Sequence, residues 1–274
     1  MGHMKVGLIQ TRTPATHAAA LDHVLPLVID AAAKGARLIA TPEGTNVLQK
    51  DKAQLLPMLH TLDDDPVVLG LRTAARELGV WILIGSALVR REDGKAANRQ
   101  ALIAPNGAIT ATYDKLHMFD VDLPNGESAR ESETYEPGER AVLGLVDGVR
   151  IGMTICYDLR FAALYRALAA AGAEILAIPA AFTRPTGEAH WEVLMRARAI
   201  ETGAYVIAPA QGGRHEDGRG TWGRSIVVGP WGQVVASLGH DEPGVLMADL
   251  DLAAVGKARA AIPALANARA FTGP

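Results

Sequence analysis

Three residues of the 274-residue chain have the types that acyl transfer needs, and each follows a strand-like run. Cys156, the only cysteine, comes directly after Gly152-Met153-Thr154-Ile155 and before a segment of helical spacing. A thiol at a strand end that faces a helix N-terminus meets aligned N–H groups, which stabilise a thiolate, so Cys156 is a candidate nucleophile. Glu43 follows Leu38-Ile39-Ala40 in Thr41-Pro42-Glu43-Gly44, where a carboxylate on a sheet rim can act as a base. Lys115, in Tyr113-Asp114-Lys115-Leu116-His117, can bring a fixed positive charge to a developing oxyanion. Each has a plain alternative: a lone cysteine among apolar residues is often a small buried hydrophobe, and Glu43 and Lys115 can be solvated charges. Together, however, a nucleophile, a base and a cation are the set that acyl transfer requires.

Their positions depend on a sheet with helical crossovers. Residues 5–10 read as a buried strand, and residues 15–34 as a helix with Leu21, Val24, Leu25, Val28 and Ile29 on one side. Residues 37–40 form a second strand that ends at Glu43. A helix follows over 66–78, with Asp65 as N-cap and Gly79 as C-cap, and then an apolar strand over 80–89. The turn Pro105-Asn106-Gly107 joins residues 99–104 and 108–113 into a hairpin, adding antiparallel pairing to a mostly parallel core. Residues 120–140 show no period and carry Pro124, Gly126, Pro137 and Gly138, which predicts a long surface loop of the kind often used for function. The second half repeats the alternation: strand 150–154, helix from about 159 to 171, strand 174–179, helix from about 188 to 202, strand 204–208, and four short strand-like runs between 225 and 250. The class is therefore α/β, and with no linker or internal repeat the reading is one domain over residues 4–274.

Composition narrows the function. Hydrophobic residues make up 49% of the chain, enough for a substantial core. Lys and Arg total 27 against 30 Asp and Glu, a net charge of −3, and no run of like charge reaches five residues, so neither nucleic acid nor an anionic membrane is expected as partner. The longest apolar stretches, such as 171–182, fall short of the ~20 residues of a bilayer span. Met1-Gly2-His3 reads as the remnant of an expression tag ahead of Met4, with no signal peptide, and a single free thiol suits a reducing compartment such as the cytoplasm. No metal or other cofactor is expected: the eight histidines form no HExxH pattern, and Asp120-Val121-Asp122-Leu123-Pro124-Asn125-Gly126 fails as a calcium loop because Pro124 stands at a ligand position. A papain-like enzyme would recruit His117 or His190, but the cysteine's neighbours do not match that pattern.

In their local context the same residues resemble the nitrilase-like carbon-nitrogen hydrolases. Thr41-Pro42-Glu43, Asp114-Lys115-Leu116-His117-Met118-Phe119-Asp120 and Ile155-Cys156-Tyr157-Asp158-Leu159-Arg160-Phe161 match the three signatures of that superfamily, in order and at similar spacing. The likeness extends from Val6-Gly7-Leu8-Ile9-Gln10 to Gly244-Val245-Leu246. It implies a four-layer α-β-β-α sandwich with two mixed sheets, an amide substrate of small size, and a catalytic set of Glu43, Lys115 and Cys156 with Glu131 as a second glutamate beside the amide. Arg160, four residues past Cys156, is a candidate clamp for a substrate carboxylate because a guanidinium can bind one in bidentate geometry, with a helix-surface ion pair as its plain alternative, and the backbone N–H of Tyr157 is a candidate oxyanion donor beside Lys115. By the resemblance Phe182 and Thr186 line the same pocket, and the assembly is a homodimer or a higher homo-oligomer. His190-Trp191-Glu192-Val193-Leu194, the 196–202 run and Ala210-Gln211-Gly212-Gly213-Arg214-His215 are most similar to the deaminated glutathione amidase branch, with the ω-amidases that act on 2-oxoglutaramate as neighbours. A non-catalytic scaffold is the remaining alternative, which retention of all three residues argues against. Two departures bear on substrate and oligomer contacts: Ala162-Ala163 replaces the family's usual Pro-Glu, and Gly44 stands where relatives often have Asn, Cys or Ala.

Overall fold

A computed structural model of the chain describes residues 2–123, 126 and 128–273. Its core is two six-stranded mixed sheets packed face to face. The first runs, edge to edge, Gly244–Asp251, His3–Gln10, Leu38–Ala40, Trp81–Arg90, Ala96–Ile103 and Ile109–Asp114; His3–Gln10, Leu38–Ala40 and Trp81–Arg90 are parallel and the other pairings antiparallel. The second runs Val234–Ser237, Ile226–Val228, Tyr205–Ala208, Ile175–Ala177, Val149–Met153 and Val142–Val146, with the three strands from Tyr205–Ala208 to Val149–Met153 parallel.

The apolar pattern explains the layering. Strands buried on both faces are apolar at consecutive positions, and alternate side chains go to opposite faces. Leu8, Leu38, Ala40 and Leu83 meet Ile151, Met153, Ile175 and Ile207 of the second sheet in one cluster. Their neighbours Ile9, Ile39, Ile82 and Ile84 instead pack under the helices His17–Ala33 and Pro66–Leu78, through Val24, Val28, Val67 and Leu71. The helices Ala162–Ala170 and Arg184–Thr202 contribute Leu164, Leu168, Trp191 and Met195 to the cluster of the second sheet, completing an α-β-β-α sandwich.

Most expected elements stand within a few residues of their predicted bounds. Asp65 accepts from the N–H groups of Val67 and Val68, and Gly79 closes the helix at φ 66°, as their residue types require. Three expectations need correction. Residues 120–140 contain a small hairpin, Asp120–Asp122 with Ser128–Arg130, and a 3-10 turn at Glu131–Glu133; Pro124 and Asn125, on which the comparison with a calcium loop rested, lie outside the described residues. The final runs make three strands rather than four. The helix expected from 159 splits into a 3-10 turn, Cys156–Arg160, and a helix that begins at Ala162, because Phe161 (ψ 82°) interrupts the helical geometry. Sequence reading also passed over the strand Val142–Val146, the hairpin Gly212–Arg214 with Gly220–Trp222, and the helix Ala253–Ala261.

Candidate active site

The strand ends of both sheets open into one cavity of about 570 Å³, and all eight expected site residues line it: Glu43, Lys115, Glu131, Cys156, Tyr157, Arg160, Phe182 and Thr186. This volume lies in the range that accepts a drug-sized molecule.

Cys156 sits on a sharp elbow. Its φ is 49°, a left-handed conformation that costs a residue with a Cβ on the order of 1–3 kcal/mol and is therefore kept only where the surroundings enforce it. Here the Cys156 N–H donates to Pro179 O at 2.9 Å, and Asp158 turns back so that its Oδ2 accepts the Ile155 N–H at 2.9 Å. Asp158 is fully buried, and the same carboxylate accepts from the Tyr113 hydroxyl at 2.6 Å and from the His117 N–H at 3.1 Å. His117 Nδ1 lies 2.6 Å from it. Asp158 thus ties the Cys156 elbow to the segment that carries Lys115.

Glu43 is held as tightly. Its carbonyl oxygen accepts from Gln211 Nε2, and Gly44 N–H donates to Ser86 Oγ, while Gly44 itself adopts φ 66°, where glycine carries no Cβ penalty. One carboxylate oxygen accepts from the Ala181 N–H at 2.8 Å; the other accepts from Asn98 Nδ2 at 2.9 Å and Lys115 Nζ at 3.0 Å. The Lys115 ammonium, 2% exposed, also donates to both oxygens of Glu131 at 2.9 and 2.8 Å. Glu131 in turn accepts from the Phe119 N–H and from Asn98 Nδ2. Two carboxylates on one ammonium leave the cluster with a net charge of −1.

The electrostatics follow from that arrangement. Burial opposes the carboxylate of Glu43, but Lys115, the adjacent Cys156 thiol and Asn98 outweigh it and hold Glu43 below its ordinary range. Burial likewise opposes the Lys115 ammonium, yet Glu131 and Glu43 keep it charged well above the ordinary lysine range. The Cys156 thiol is pushed well up, first by burial and then by the Glu43 charge, with Lys115 opposing. This corrects the expectation from position alone: the resting site favours a thiol beside a carboxylate, not a free thiolate stabilised by a helix end. A 3-10 turn of five residues offers a weaker field than a long helix would, and removal from water outweighs it. The arrangement can therefore move a proton from sulfur to Glu43 as the sulfur attacks.

Arg160 has no carboxylate within ion-pair distance among the described residues; its guanidinium lies 5.6 Å from the Phe182 ring and 5.9 Å from the Tyr157 ring. That excludes the helix-surface ion pair as its role and leaves a cation facing the cavity. Neither His117 nor His190 lines the cavity, so no described histidine takes the part a papain-like reading would need. Ala162 and Ala163 are exposed and also away from the cavity, so that departure leaves the site wall unchanged.

Sequence reasoning missed Asn98, whose single amide nitrogen is shared by Glu43 and Glu131, and Asp158, although it lies within a quoted signature. Asn98 stands first in a polar run, Asn98-Arg99-Gln100, within the 96–103 strand, so no local signal singled it out. Gly85 was missed too: a Cβ there would fall on the Thr41 carbonyl oxygen and 2.5 Å from Pro179 Cβ, so this glycine lets the strand ends behind Glu43 and Cys156 approach.

Comparison with known proteins gives the family. The family pattern described as "Carbon-nitrogen hydrolase" matches residues 5–260. A deaminated glutathione amidase of Yersinia enterocolitica is 44% identical over 204 residues, 73% of this chain and 71% of that protein. Among solved structures, the C. elegans NitFhit protein superposes with a TM-score of 0.91 at 30% identity, covering 98% of this chain and 66% of that one. A mutant of the amidase from Nesterenkonia sp. AN1, which shows covalent addition of the acetamide moiety of fluoroacetamide at its active-site cysteine, matches with a TM-score of 0.82 at 26% identity, covering 98% of this chain and 94% of that one. With the sandwich fold, the clustered glutamates, lysine and cysteine, and a match over nearly its whole length, this chain belongs to the carbon-nitrogen hydrolase family.

Proposed function

We propose that the protein is an amidase that cleaves deaminated glutathione through a cysteinyl thioester, with Cys156 as nucleophile, Glu43 as general base and Lys115 as oxyanion stabiliser. The observation that carries the reading is the Lys115 ammonium buried between Glu43 and Glu131 on the wall that holds Cys156. Glu43 takes the thiol proton as sulfur attacks the amide carbonyl. The developing oxyanion is met by the Lys115 ammonium and by the N–H of Tyr157, which sits in the first turn after the elbow and donates to no other backbone group among the described residues. Charge placed where the oxyanion forms is usually the largest single catalytic contribution. Glu43 then returns the proton to the leaving nitrogen, the amine departs, and the same carboxylate activates the water that hydrolyses the thioester. Glu131 fixes Lys115, and Arg160 holds the carboxylate on the acyl side in bidentate geometry.

A reactive thiol of this kind works in a reducing compartment such as the cytoplasm. The exposed Val193 and Ile200, on one face of the Arg184–Thr202 helix beside the exposed Trp231, support a homodimer through that face.

The test is incubation of the purified protein, beside Cys156→Ala, with deaminated glutathione and with 2-oxoglutaramate, following cysteinylglycine and ammonia. Cysteinylglycine release by the unaltered chain alone supports the proposal. Ammonia release without it moves the protein to the ω-amidases, and release of neither leaves the scaffold reading.

A further inference from the structure

The cavity is cationic although the chain is acidic. Six Lys and Arg side chains line it against two Glu, and both of those Glu are already bound to Lys115. Arg160 supplies one pole, close to the nucleophile. Lys50, Lys52, Arg130 and Arg219 come from other segments and crowd the rim. Arg130 is engaged by Asp122 and by two carbonyl oxygens, and Lys52 donates to the Glu133 carbonyl. Lys50 is exposed and has no carboxylate partner among the described residues. Its ammonium lies against the hairpin tip that carries Arg219: a Cβ on Gly218 would be 3.7 Å from Lys50 Nζ. The Arg219 Nε is held by Asp217 at 2.7 Å, which fixes the guanidinium while its terminal nitrogens donate to no protein group among the described residues. Asp217 offsets the Arg219 charge, so the mouth keeps the net positive charge of Lys50 together with the undonated terminal N–H groups of Arg219, a combination that an anion between them satisfies.

We propose that Lys50 and Arg219 form a second anion subsite, at the cavity mouth, for a carboxylate on the amine side of the scissile bond. The inference rests on the amidase reading above and extends it to a substrate class: amides with one carboxylate on the acyl part and another on the leaving amine. The order of events sets which carboxylate goes where. The acyl part stays bound to Cys156 as the thioester while the amine leaves and water enters, so the amine side must face the opening, where Lys50 is exposed. The acyl carboxylate then belongs to Arg160, four residues past the nucleophile and half-buried.

The experiment compares deaminated glutathione with its C-terminal carboxamide, which differs only in the charge of the remote group, in the unaltered protein and in Lys50→Gln and Arg219→Gln. The unaltered protein prefers the free carboxylate by about tenfold in kcat/KM, the size expected of one charge-assisted contact at a partly exposed site, and the preference is carried by KM and shrinks with added salt. Each substitution reduces that ratio toward one. Equal cleavage of the two substrates by the unaltered protein, or a ratio that survives both substitutions, refutes the subsite and leaves the amidase reading standing. Cleavage of neither, with Cys156-dependent hydrolysis of 2-oxoglutaramate intact, overturns the substrate reading and the subsite with it, a pattern distinct from equal cleavage.

Discussion

Replacing Asp158 tests whether the Cys156 elbow is held in place by the protein rather than by its own backbone preference. In Asp158→Ala the Ile155 N–H and the Tyr113 hydroxyl, both buried, lose their acceptor; the His117 N–H loses it too but is only part-buried and within reach of water, and the His117 ring can turn to water. A buried donor without a partner costs about 1–3 kcal/mol, so two cost roughly 4 kcal/mol together. For a chain of this size that is a fall in Tm of about 8–16 °C. Asp158→Asn keeps one oxygen to serve Ile155 and Tyr113 and turns its amide toward His117, whose ring Nδ1 can accept but whose backbone N–H is left without an acceptor, so it should lose about half as much. Because the φ of 49° at Cys156 is unfavourable in itself, the elbow relaxes once the clamp is gone, and kcat should fall at least tenfold in Asp158→Ala with less change in KM. Urea unfolding followed by circular dichroism gives the stability, and steady-state kinetics the rate. An Asp158→Ala protein within about 1 kcal/mol of the parent, or one no less stable than Asp158→Asn, refutes the reasoning.

Further outcomes follow from the same geometry. Glu43→Gln keeps the shape but not the base; it should lower kcat by about 10²–10⁴ and slow both thioester formation and its hydrolysis, read by rapid-quench measurement of the acyl-enzyme. A titration of thiolate absorbance against a Cys156→Ala blank should show no step across the neutral range, since burial and Glu43 hold the thiol protonated; a thiolate already present at neutral pH contradicts the proposed proton transfer. Gly85→Ala should cost at least about 3 kcal/mol and most of the activity, checked by thermal unfolding and assay together, because the added methyl has no space between Thr41 and Pro179. His215, whose pKa is lowered from 6.5 to about 4 by burial and by the Arg219 charge, is bound by more protons in the unfolded chain between those values. Its contribution to stability is therefore complete above pH 6.5 and lost as pH falls toward 4, roughly 3 kcal/mol in all, and His215→Gln should flatten that part of the stability profile measured by urea unfolding.

How far the site was legible in the sequence differs between residues. Glu43, Lys115 and Cys156 were found because each follows a strand-like run and because three matched signatures reinforce one another. Glu131 came through resemblance alone, since a glutamate in an aperiodic loop carries no local sign of what it faces, whereas Arg160 was singled out by its spacing after Cys156 and by guanidinium chemistry, with an ion pair open as the alternative until its surroundings were placed. Asp158 was in plain view inside a signature, but its partners, Tyr113 and His117, are over 40 positions away in the chain, so nothing local marks it as a clamp.

By itself the amino-acid sequence determined the α/β alternation, the capped helix over Pro66–Leu78, the hairpin turn and the three residues at strand ends, because these depend on periodicity, cap chemistry and local matches. Only the tertiary structure decided the strand order within the two sheets, the pairing of Lys115 with both glutamates and the protonated state that the Cys156 thiol prefers. The physical reason is that charge interactions depend on distance and on exclusion from water. Neither is set until strands far apart in the chain are packed side by side, and there the burial of a thiol outweighs the field of the short turn that the sequence places after it.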